Sequence, residues 1–190
     1  MKKLLMLAAA GLLVTGIQTP ASAGSHDAKI KKYVETSIRS WLGSEELHRA
    51  VHQQNLNHSG LTANDISVLD QRWRAEKIIG SGDLMDSRMG NDLSTFLRGI
   101  KAAAGGVITE IFVMDNKGLN VGQTNGTGDY MQGDEAKWKK TFLVSSSAVF
   151  IDDVEQEDGL NISQTSLTVA RSNGYSLGAV TVGINVDALK

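Results

Sequence analysis

Residues 107–121 read VITEIFVMDNKGLNV and mark the point at which the pattern of the chain changes. The first eight residues form a nearly continuous apolar run, which predicts a central strand covered on both faces. Residues 115–118 are typical of a turn, and Leu119 and Val121 then alternate with polar residues, as in a second strand. This segment therefore predicts an antiparallel hairpin in the middle of the chain.

Upstream of the hairpin, apolar residues recur at intervals of three and four, which is the spacing of helices. The first run covers residues 30–42, and Ser44 is placed to cap a second helix behind it. Thr62 with Asp65 three positions later predicts a capping box for a third helix. Residues 93–100 predict a fourth, short helix.

Downstream of the hairpin, the pattern predicts one inserted helix and three more strands. Asp134 is expected to cap the insert helix, which would extend to Phe142. Asp158-Gly159 and Asn173-Gly174 predict tight turns between the last three strands. The apolar positions of the fourth strand change phase along residues 160–169, which predicts a β-bulge near residues 164–166.

The last strand has two unlike faces. Val180, Val182, Ile184 and Val186 point one way and are bulky, as expected of a face that packs on helices. The residues between them, from position 179 onward, are small or polar. Two interpretations remain open for that face: close approach of another segment, or a ligand cavity above the sheet.

The first 23 residues are typical of a secretory signal peptide. Two lysines precede an apolar stretch over residues 4–17, and the small residues at 21–23 precede the expected cleavage site. A membrane-spanning helix needs about 20 apolar residues, so this stretch is too short to span a bilayer. We expect residues 24–190 to form a single periplasmic domain.

Composition excludes several classes of function for those 167 residues. Two of the 19 lysines and arginines lie in the first 23 residues, which leaves 17 basic against 21 acidic side chains, a net charge of −4. A nucleic-acid-binding protein would carry a basic surplus instead. The chain has no cysteine, which rules out disulfides, thiolate chemistry and cysteine metal sites.

Four segments of the chain carry a resemblance to a known family. They read IFVMDNKGLNV at 111–121, DYMQGDEAKW at 129–138, AVFID at 148–152 and GAVTVGINV at 178–186. With the order of elements, they resemble the Cache family, the PAS-like extracytoplasmic sensor domains of bacterial receptors, also called PDC domains.

The resemblance covers nearly all of residues 24–190 and implies an α+β fold. It is a PAS-like five-stranded antiparallel sheet with N-terminal helices packed on one face. The helical part would cover residues 27–104, and the sheet with its insert helix residues 107–188. Small ligands would bind between the other face of the sheet and the insert.

The Cache group that binds free amino acids has an Arg-x-Trp-Tyr pattern in the insert, a Tyr-x-Asp in the next strand and a Gly-x-Asp in the last. In this chain Trp138 matches the tryptophan, whereas Ala136 and Lys139 replace the arginine and the tyrosine. The other two patterns become Phe-Ile-Asp at 150–152 and Gly-Ile-Asn at 183–185. Without the arginine fork and the final aspartate, we expect a neutral or anionic small molecule, with Lys139 contributing, or a pocket filled by its own side chains.

The resemblance thus implies six ligand-binding residues: Tyr130, Trp138, Lys139, Phe150, Asp152 and Asn185. For Tyr130 and Trp138, packing of the insert onto the sheet is the structural alternative. Trp73 lies on an apolar helix stripe and is expected in the core.

The residues do not predict a metal site, a cofactor or catalysis. His48 and His52 have an i, i+4 spacing that lets both rings reach one metal, but a solvated helix face is the favoured interpretation. The acidic residues at 152–158 lack the spacing of a calcium loop. No nucleophile motif is present, and all four histidines lie at or before residue 58, so we expect a protein without enzymatic activity.

Two functional hypotheses follow. The first is a stand-alone periplasmic sensory module that binds a small molecule and signals through a membrane-bound receptor or kinase. The alternative is a protein-interaction or structural module with a collapsed pocket, whose N-terminal helices mediate docking or formation of a homodimer. Neither hypothesis involves nucleic acid.

Overall fold

A computed structural model describes residues 23–190 of the protein, and all but the last residue of the predicted signal peptide lies outside the described residues. The helices are α1 (Ala23–Tyr33), a π-helical segment (Val34–Ile38), α2 (Arg39–Leu42), α3 (Glu45–Asn57), α4 (Ala63–Ile79), α5 (Asp83–Met89), α6 (Asp92–Ala103) and α7 (Ala136–Lys139). The strands are β1 (Ile108–Met114), β2 (Asn120–Gln123), β3 (Val149–Glu157), β4 (Leu160–Ala170) and β5 (Ser176–Asn185), followed by a 3-10 turn (Val186–Ala188).

The five strands form one sheet in the order β2-β1-β5-β4-β3, and every neighbouring pair is antiparallel. The longest strands, β4 and β5, lie at or next to its centre. This is the five-stranded antiparallel sheet of a PAS-like α+β fold, so the predicted fold class is confirmed. Within residues 23–190, no helix has the length and apolar character needed to cross a membrane.

The helix boundaries follow from capping side chains that the sequence identifies. The Ser44 hydroxyl accepts a hydrogen bond from the backbone N–H of Leu47 and begins α3. Thr62 and Asp65 form the predicted capping box, with each side chain bonded to the backbone of the other residue. α1, the π-helical segment and α2 continue one another without a break, and Gly43 ends them.

The main core lies between the N-terminal helices and one face of the sheet. The bulky face of β5 is buried there, as predicted, against the apolar stripes of α1, α3 and α6. The helical part of this core contains Ile30, Val34, Ile38, Leu42, Leu47, Val51, Leu93 and Leu97. The apolar stripe of the N-terminal helices is therefore buried within the chain's own fold.

Three predicted details of the fold are wrong. α5 was not predicted, because residues 83–89 carry no clear apolar period. Asp134 does not cap the insert helix: Glu135 holds the N-cap position without a side-chain bond, and α7 ends at Lys139. Residues 140–144 continue as turns rather than as helix.

The third wrong detail is the position of the bulge. β4 pairs with β5 in unbroken register from Ile162 to Val169, so it contains no bulge at 164–166. The extra residue lies in the neighbouring strand, where Ile151 pairs with Thr165 and Val154 with Ser163. The change of phase in β4 needs no bulge, because Leu167 and Val169 pack in the main core and Ile162 points to the opposite face of the sheet.

Candidate functional site

The face of the sheet that points away from the N-terminal helices is covered by the segment containing α7. At its centre is a small apolar cluster, which we call the aromatic plug: Phe112, Met114, Ala179 and Trp138, with Phe142 packed against them. The rings of Trp138 and Phe142 are stacked, with centroids 5.0 Å apart. The plug fills the middle of this face and fixes the insert on the sheet.

The small residues of β5 are explained by close approach over part of this face. A Cβ atom on Gly183 would lie 2.5 Å from the Thr109 hydroxyl oxygen, so β1 occupies that space. Beside it, the hydroxyl groups of Ser166 and Thr181 are fully buried and hydrogen-bonded at 2.9 Å. At these positions, therefore, the small residues of β5 allow close packing of neighbouring segments and do not form a ligand cavity.

A cavity of about 310 Å³ lies next to the plug, between the start of the insert helix and the β3–β4 edge of the sheet. Its lining residues include Glu135, Lys137, Asp152, Glu157 and Gln164. In the described part of the chain, side chains leave this part of the face unfilled, and it has room for a small molecule.

Lys137 is the basic residue of the cavity, and its side chain is only 13% exposed. Its ammonium group pairs with the Glu135 carboxylate at 2.8 Å and lies 5.3 Å from the centre of the Phe112 ring. The ion pair and the aromatic face hold the charge of Lys137 above the sheet. The ammonium is therefore already neutralised by Glu135 and is not free to receive an anion.

Carboxylates dominate the rest of the cavity. Five acidic residues line it, namely Glu135, Asp152, Asp153, Glu155 and Glu157. Below them, Glu110 accepts a hydrogen bond from the Gln164 amide at 2.9 Å. Burial, and next the negative charge of Glu157, raise the pKa of the Glu110 carboxyl. The electrostatics of the site thus favour a cation, which does not fit the neutral or anionic ligand expected from the sequence.

Within residues 23–190, no group of three or more His, Cys, Asp or Glu side chains is arranged to hold a metal ion. The acidic residues of β3 that line the cavity, from Asp152 to Glu157, lie along an extended edge strand.

Asp115, at the start of the β1–β2 turn, joins the insert to the N-terminal helices. Its carboxylate is fully buried and accepts hydrogen bonds from the backbone N–H groups of Lys117 and Leu119 at 2.8 and 2.9 Å. The other carboxylate oxygen accepts from Gln54 at 3.0 Å and from the Nδ1 atom of His58 at 2.8 Å.

The backbone carbonyl of Asp115 accepts a further hydrogen bond, from the indole N–H of Trp138, at 3.1 Å. Trp138 belongs to the insert, whereas Gln54 and His58 belong to the end of α3 and the residue after it. We call this set the Asp115 junction. It connects the roof of the candidate site to α3 through a single residue.

Tyr130 lies in a second apolar cluster, apart from the plug. Its ring is fully buried and stacks on Trp73 of α4, with centroids 5.6 Å apart, and its hydroxyl accepts from Arg88 at 2.9 Å. Asp70 accepts from the backbone N–H of Tyr130 at 2.8 Å. Trp73 is in the core, as predicted, and donates its indole N–H to the Thr127 carbonyl. The loop before the insert is thereby attached to α4.

The structure distributes the other predicted site residues around the insert-covered face. Trp138 is in the plug and Asp152 lines the cavity. Phe150 lies at the edge, under the ammonium group of Lys140 at 4.2 Å, and Lys139 is exposed. The Asn185 side chain accepts from the backbone N–H of Asp187 and caps the final 3-10 turn. Their role in ligand binding stays a prediction.

Sequence reasoning missed Glu135 and Ile162, which line the cavity, and three further residues. Lys137 and Gln164 line it directly, and Glu110 lies below it, bonded to Gln164. Glu110 could have been recognised from the sequence as a candidate site residue, because it is the charged residue of the largely apolar strand β1. Nothing in the sequence distinguishes Lys137 from the nearby lysines at 139 and 140.

Comparisons with known proteins give structural similarity alone. No model of a protein family matches the sequence, and no curated protein matches it. The solved structures that are similar include the sensor domain of DcuS from E. coli, at 11% identity and a TM-score of 0.48, covering 86% of this chain and 93% of that one.

Two longer domains are also similar over 86% of this chain. The sensor domain of the histidine kinase DctB from V. cholerae has 11% identity and a TM-score of 0.40. The ligand-binding domain of the chemoreceptor CtaA from Pseudomonas fluorescens, solved with L-alanine, has 13% identity and a TM-score of 0.38. This chain spans 56% of the length of each. These three solved structures are sensor or ligand-binding domains of bacterial receptors.

Proposed function

We propose that this protein is a periplasmic sensory module that binds a small organic cation between the insert helix and the β3–β4 edge of its sheet. The observation that carries the proposal is the 310 Å³ cavity, which has a polar floor and an acidic lining. A cavity of this size lies at the lower end of the range that takes small ligands.

The chemistry of the lining supports an amine. An ammonium group would be attracted by Asp152, Glu155 and Glu157, and the Gln164 side chain offers a polar floor. Lys137 would limit the size of the ligand, because its ammonium occupies the side of the cavity nearest the plug. The periplasmic location rests on the predicted signal peptide.

A bound ligand would act on the N-terminal helices through the Asp115 junction. It would contact the start of the insert helix, and Trp138 in that helix is bonded to Asp115, which in turn holds α3 through Gln54 and His58. A ligand shifts such an equilibrium only by its difference in affinity for the two states. A membrane-bound receptor or kinase would then contact the outer faces of these helices, since their apolar stripe is buried in the core.

The test is isothermal titration calorimetry of the purified protein with putrescine and choline as cations and succinate as an anion. Asp152→Asn should weaken cation binding about tenfold or less, because it removes one partly screened charge. Asp158→Asn is the matched control, at the exposed tip of the same hairpin. Lys137→Met should strengthen cation binding, and Lys139→Met, which alters an exposed lysine of the same helix, should leave it unchanged.

Two results would contradict this proposal. Binding of succinate but not of either cation would show that the site prefers an anion. Equal effects of the Asp152 and Asp158 variants would show that the ligand responds to net charge and does not occupy the cavity.

The collapsed-pocket module is the second hypothesis, and the aromatic plug favours it. Trp138 is buried and its indole N–H already has a partner, so the centre of the face is closed to ligands. A ligand raises the melting temperature by mass action, whereas a self-associating protein melts at a higher temperature as its own concentration rises. Thermal unfolding at two protein concentrations, with and without putrescine, separates the two hypotheses.

A further inference from the structure

A second cavity lies at the opposite side of the main core, between the N-terminal helix and the end of the chain. We call it the lysine groove. Its volume is about 400 Å³, and its walls are one face of α1 and the π-helical segment, the end of α6 at residues 103–105, and the turn at residues 188–190.

The lining of the groove combines apolar surface with positive charge. Ala104, Val107 and Leu189 contribute apolar atoms, and Lys29 and Lys32 contribute positive charge. No carboxylate side chain lines the groove, and neither of these two lysines forms an ion pair with a side chain of the described part of the chain. The Lys29 ammonium donates to the backbone carbonyl of Leu189 at 3.3 Å.

The helix changes form at the groove. Lys29, Lys32, Tyr33 and Thr36 share one face of the helix, and the π-helical segment begins directly after Tyr33. The Thr36 hydroxyl bonds back to the Lys32 carbonyl at 2.9 Å. A π-helical turn inserts a residue into a helix and is frequently found at functional sites. The positive charge of the lining and the π-helical geometry, two independent features, thus occur together at the groove.

From this placement we infer that the lysine groove binds a small amphipathic anion, a carboxylate or phosphate group attached to a short apolar chain. The anionic group would lie between Lys29 and Lys32, where charge-assisted hydrogen bonds are strongest. The apolar chain would lie against Ala104 and Val107. This site is separate from the cation cavity of the proposed function and does not depend on it.

The shape of the groove favours a soluble ligand over a bilayer surface. Three segments wall it, so a small molecule can lie between them, whereas lipid headgroups in a flat bilayer would reach only the rim. Its volume lies in the range of pockets that accept small ligands. The charge complementarity and the three walls together point to a single, small occupant.

The probes are octanoate and octyl phosphate, with acetate and octylammonium as controls, each titrated into the purified protein by calorimetry. Octanoate and octyl phosphate should bind, acetate should not because it has no apolar chain, and octylammonium should not because it has the wrong charge. The double variant Lys29→Gln/Lys32→Gln should weaken octanoate binding at least about tenfold.

Lys31→Gln is the matched control variant, because it removes the same charge from the same helix. Lys31 is exposed and lines a different depression, together with Asp27 and Glu35. It should leave the octanoate affinity within about twofold. Ala103→Trp, at an exposed position on the rim, should block the groove without disturbing the core, and circular dichroism would confirm that this variant folds.

The inference is overturned if octylammonium binds as tightly as octanoate, or if the Lys31 variant loses as much affinity as the Lys29/Lys32 variant. It is also overturned if only phosphatidylglycerol vesicles bind and soluble octanoate does not, since the groove would then be part of a membrane-contacting surface. None of these results bears on cation binding at the other cavity.

Discussion

Replacing Asp115 by alanine should lower the free energy of unfolding by about 3–5 kcal/mol. The carboxylate has no exposed surface and accepts four hydrogen bonds, two from backbone N–H groups and two from the side chains of Gln54 and His58. Alanine removes the acceptor and leaves these four donors in a space that the rest of the fold keeps closed.

The magnitude follows from the donors that lose their partner. A buried donor without an acceptor costs about 1–3 kcal/mol, but the costs are not additive in a connected set. Gln54 keeps two acceptors, because its amide also donates to the Leu119 and Asn120 carbonyls at 3.3 and 3.1 Å. The loss is therefore concentrated on His58 and on the two turn N–H groups.

Urea unfolding at pH 7, followed by circular dichroism, measures the change, and the slope of the transition should stay constant. The same loss would lower the melting temperature by about 10 °C in a domain of this size. Asp153→Ala is the control: it deletes an exposed aspartate and should change the stability by less than about 0.5 kcal/mol.

A double-mutant cycle of Asp115→Ala with His58→Ala isolates the contact between the two side chains. We expect a coupling energy of about 1–3 kcal/mol, because each single change already removes the 2.8 Å hydrogen bond. A loss of less than about 1 kcal/mol for Asp115→Ala would refute the reasoning, since a carboxylate so buried could then not be the centre of the junction.

Two further predictions concern the sheet. Because the pKa of Glu110 is raised in the folded state by burial and by Glu157, folding takes up a proton, and stability falls as the pH rises from 4.5 through the raised value. Glu110→Gln should therefore stabilise the protein at pH 7 and lose that advantage below pH 4.5, in urea unfolding at both pH values. Gly178→Ala should destabilise the protein by about 1–3 kcal/mol, because the new Cβ would overlap the Met114 carbonyl oxygen, whereas Gly99→Ala, in open space on α6, should stabilise it by about 0.5–1 kcal/mol. Thermal unfolding of the two glycine variants compares them directly, and destabilisation by both would contradict the assignment.

The features that the sequence predicts well are those that depend on a few neighbouring residues. The Thr62–Asp65 capping box and the turn at Asp158-Gly159 need only local hydrogen bonds and a positive φ angle, which is 50° at Asp158 and 81° at Gly159. The alternation of β5 predicts its buried face because one side of that strand packs on helices. The fold class was implied by the resemblance to the Cache family, and the strand order was not among the predictions.

The features that the sequence predicts poorly depend on contacts between distant segments. Tyr130 was expected above the ligand face because it lies in the insert, but Trp73, 57 positions earlier in the chain, provides a ring on which it stacks. β4 has no bulge and is bonded on both sides, a fact that depends on strand order. Neither the stacking of Tyr130 on Trp73 nor the position of β4 in the sheet can be recognised from a local sequence pattern.

The choice between Lys137 and Lys139 shows how such contacts determine the chemistry of the site. Residues two apart in a helix point about 200° apart, so only one of the two lysines can face the sheet. α7 has four residues and no side-chain cap, and its rotation is therefore set by the Trp138 bond to Asp115 and by the pair between Glu135 and Lys137. Those contacts turn Lys137 toward the cavity as half of an ion pair and leave Lys139 in solvent. The net charge available to a ligand is consequently that of the β3 carboxylates, and a cation is the ligand that the cavity should select.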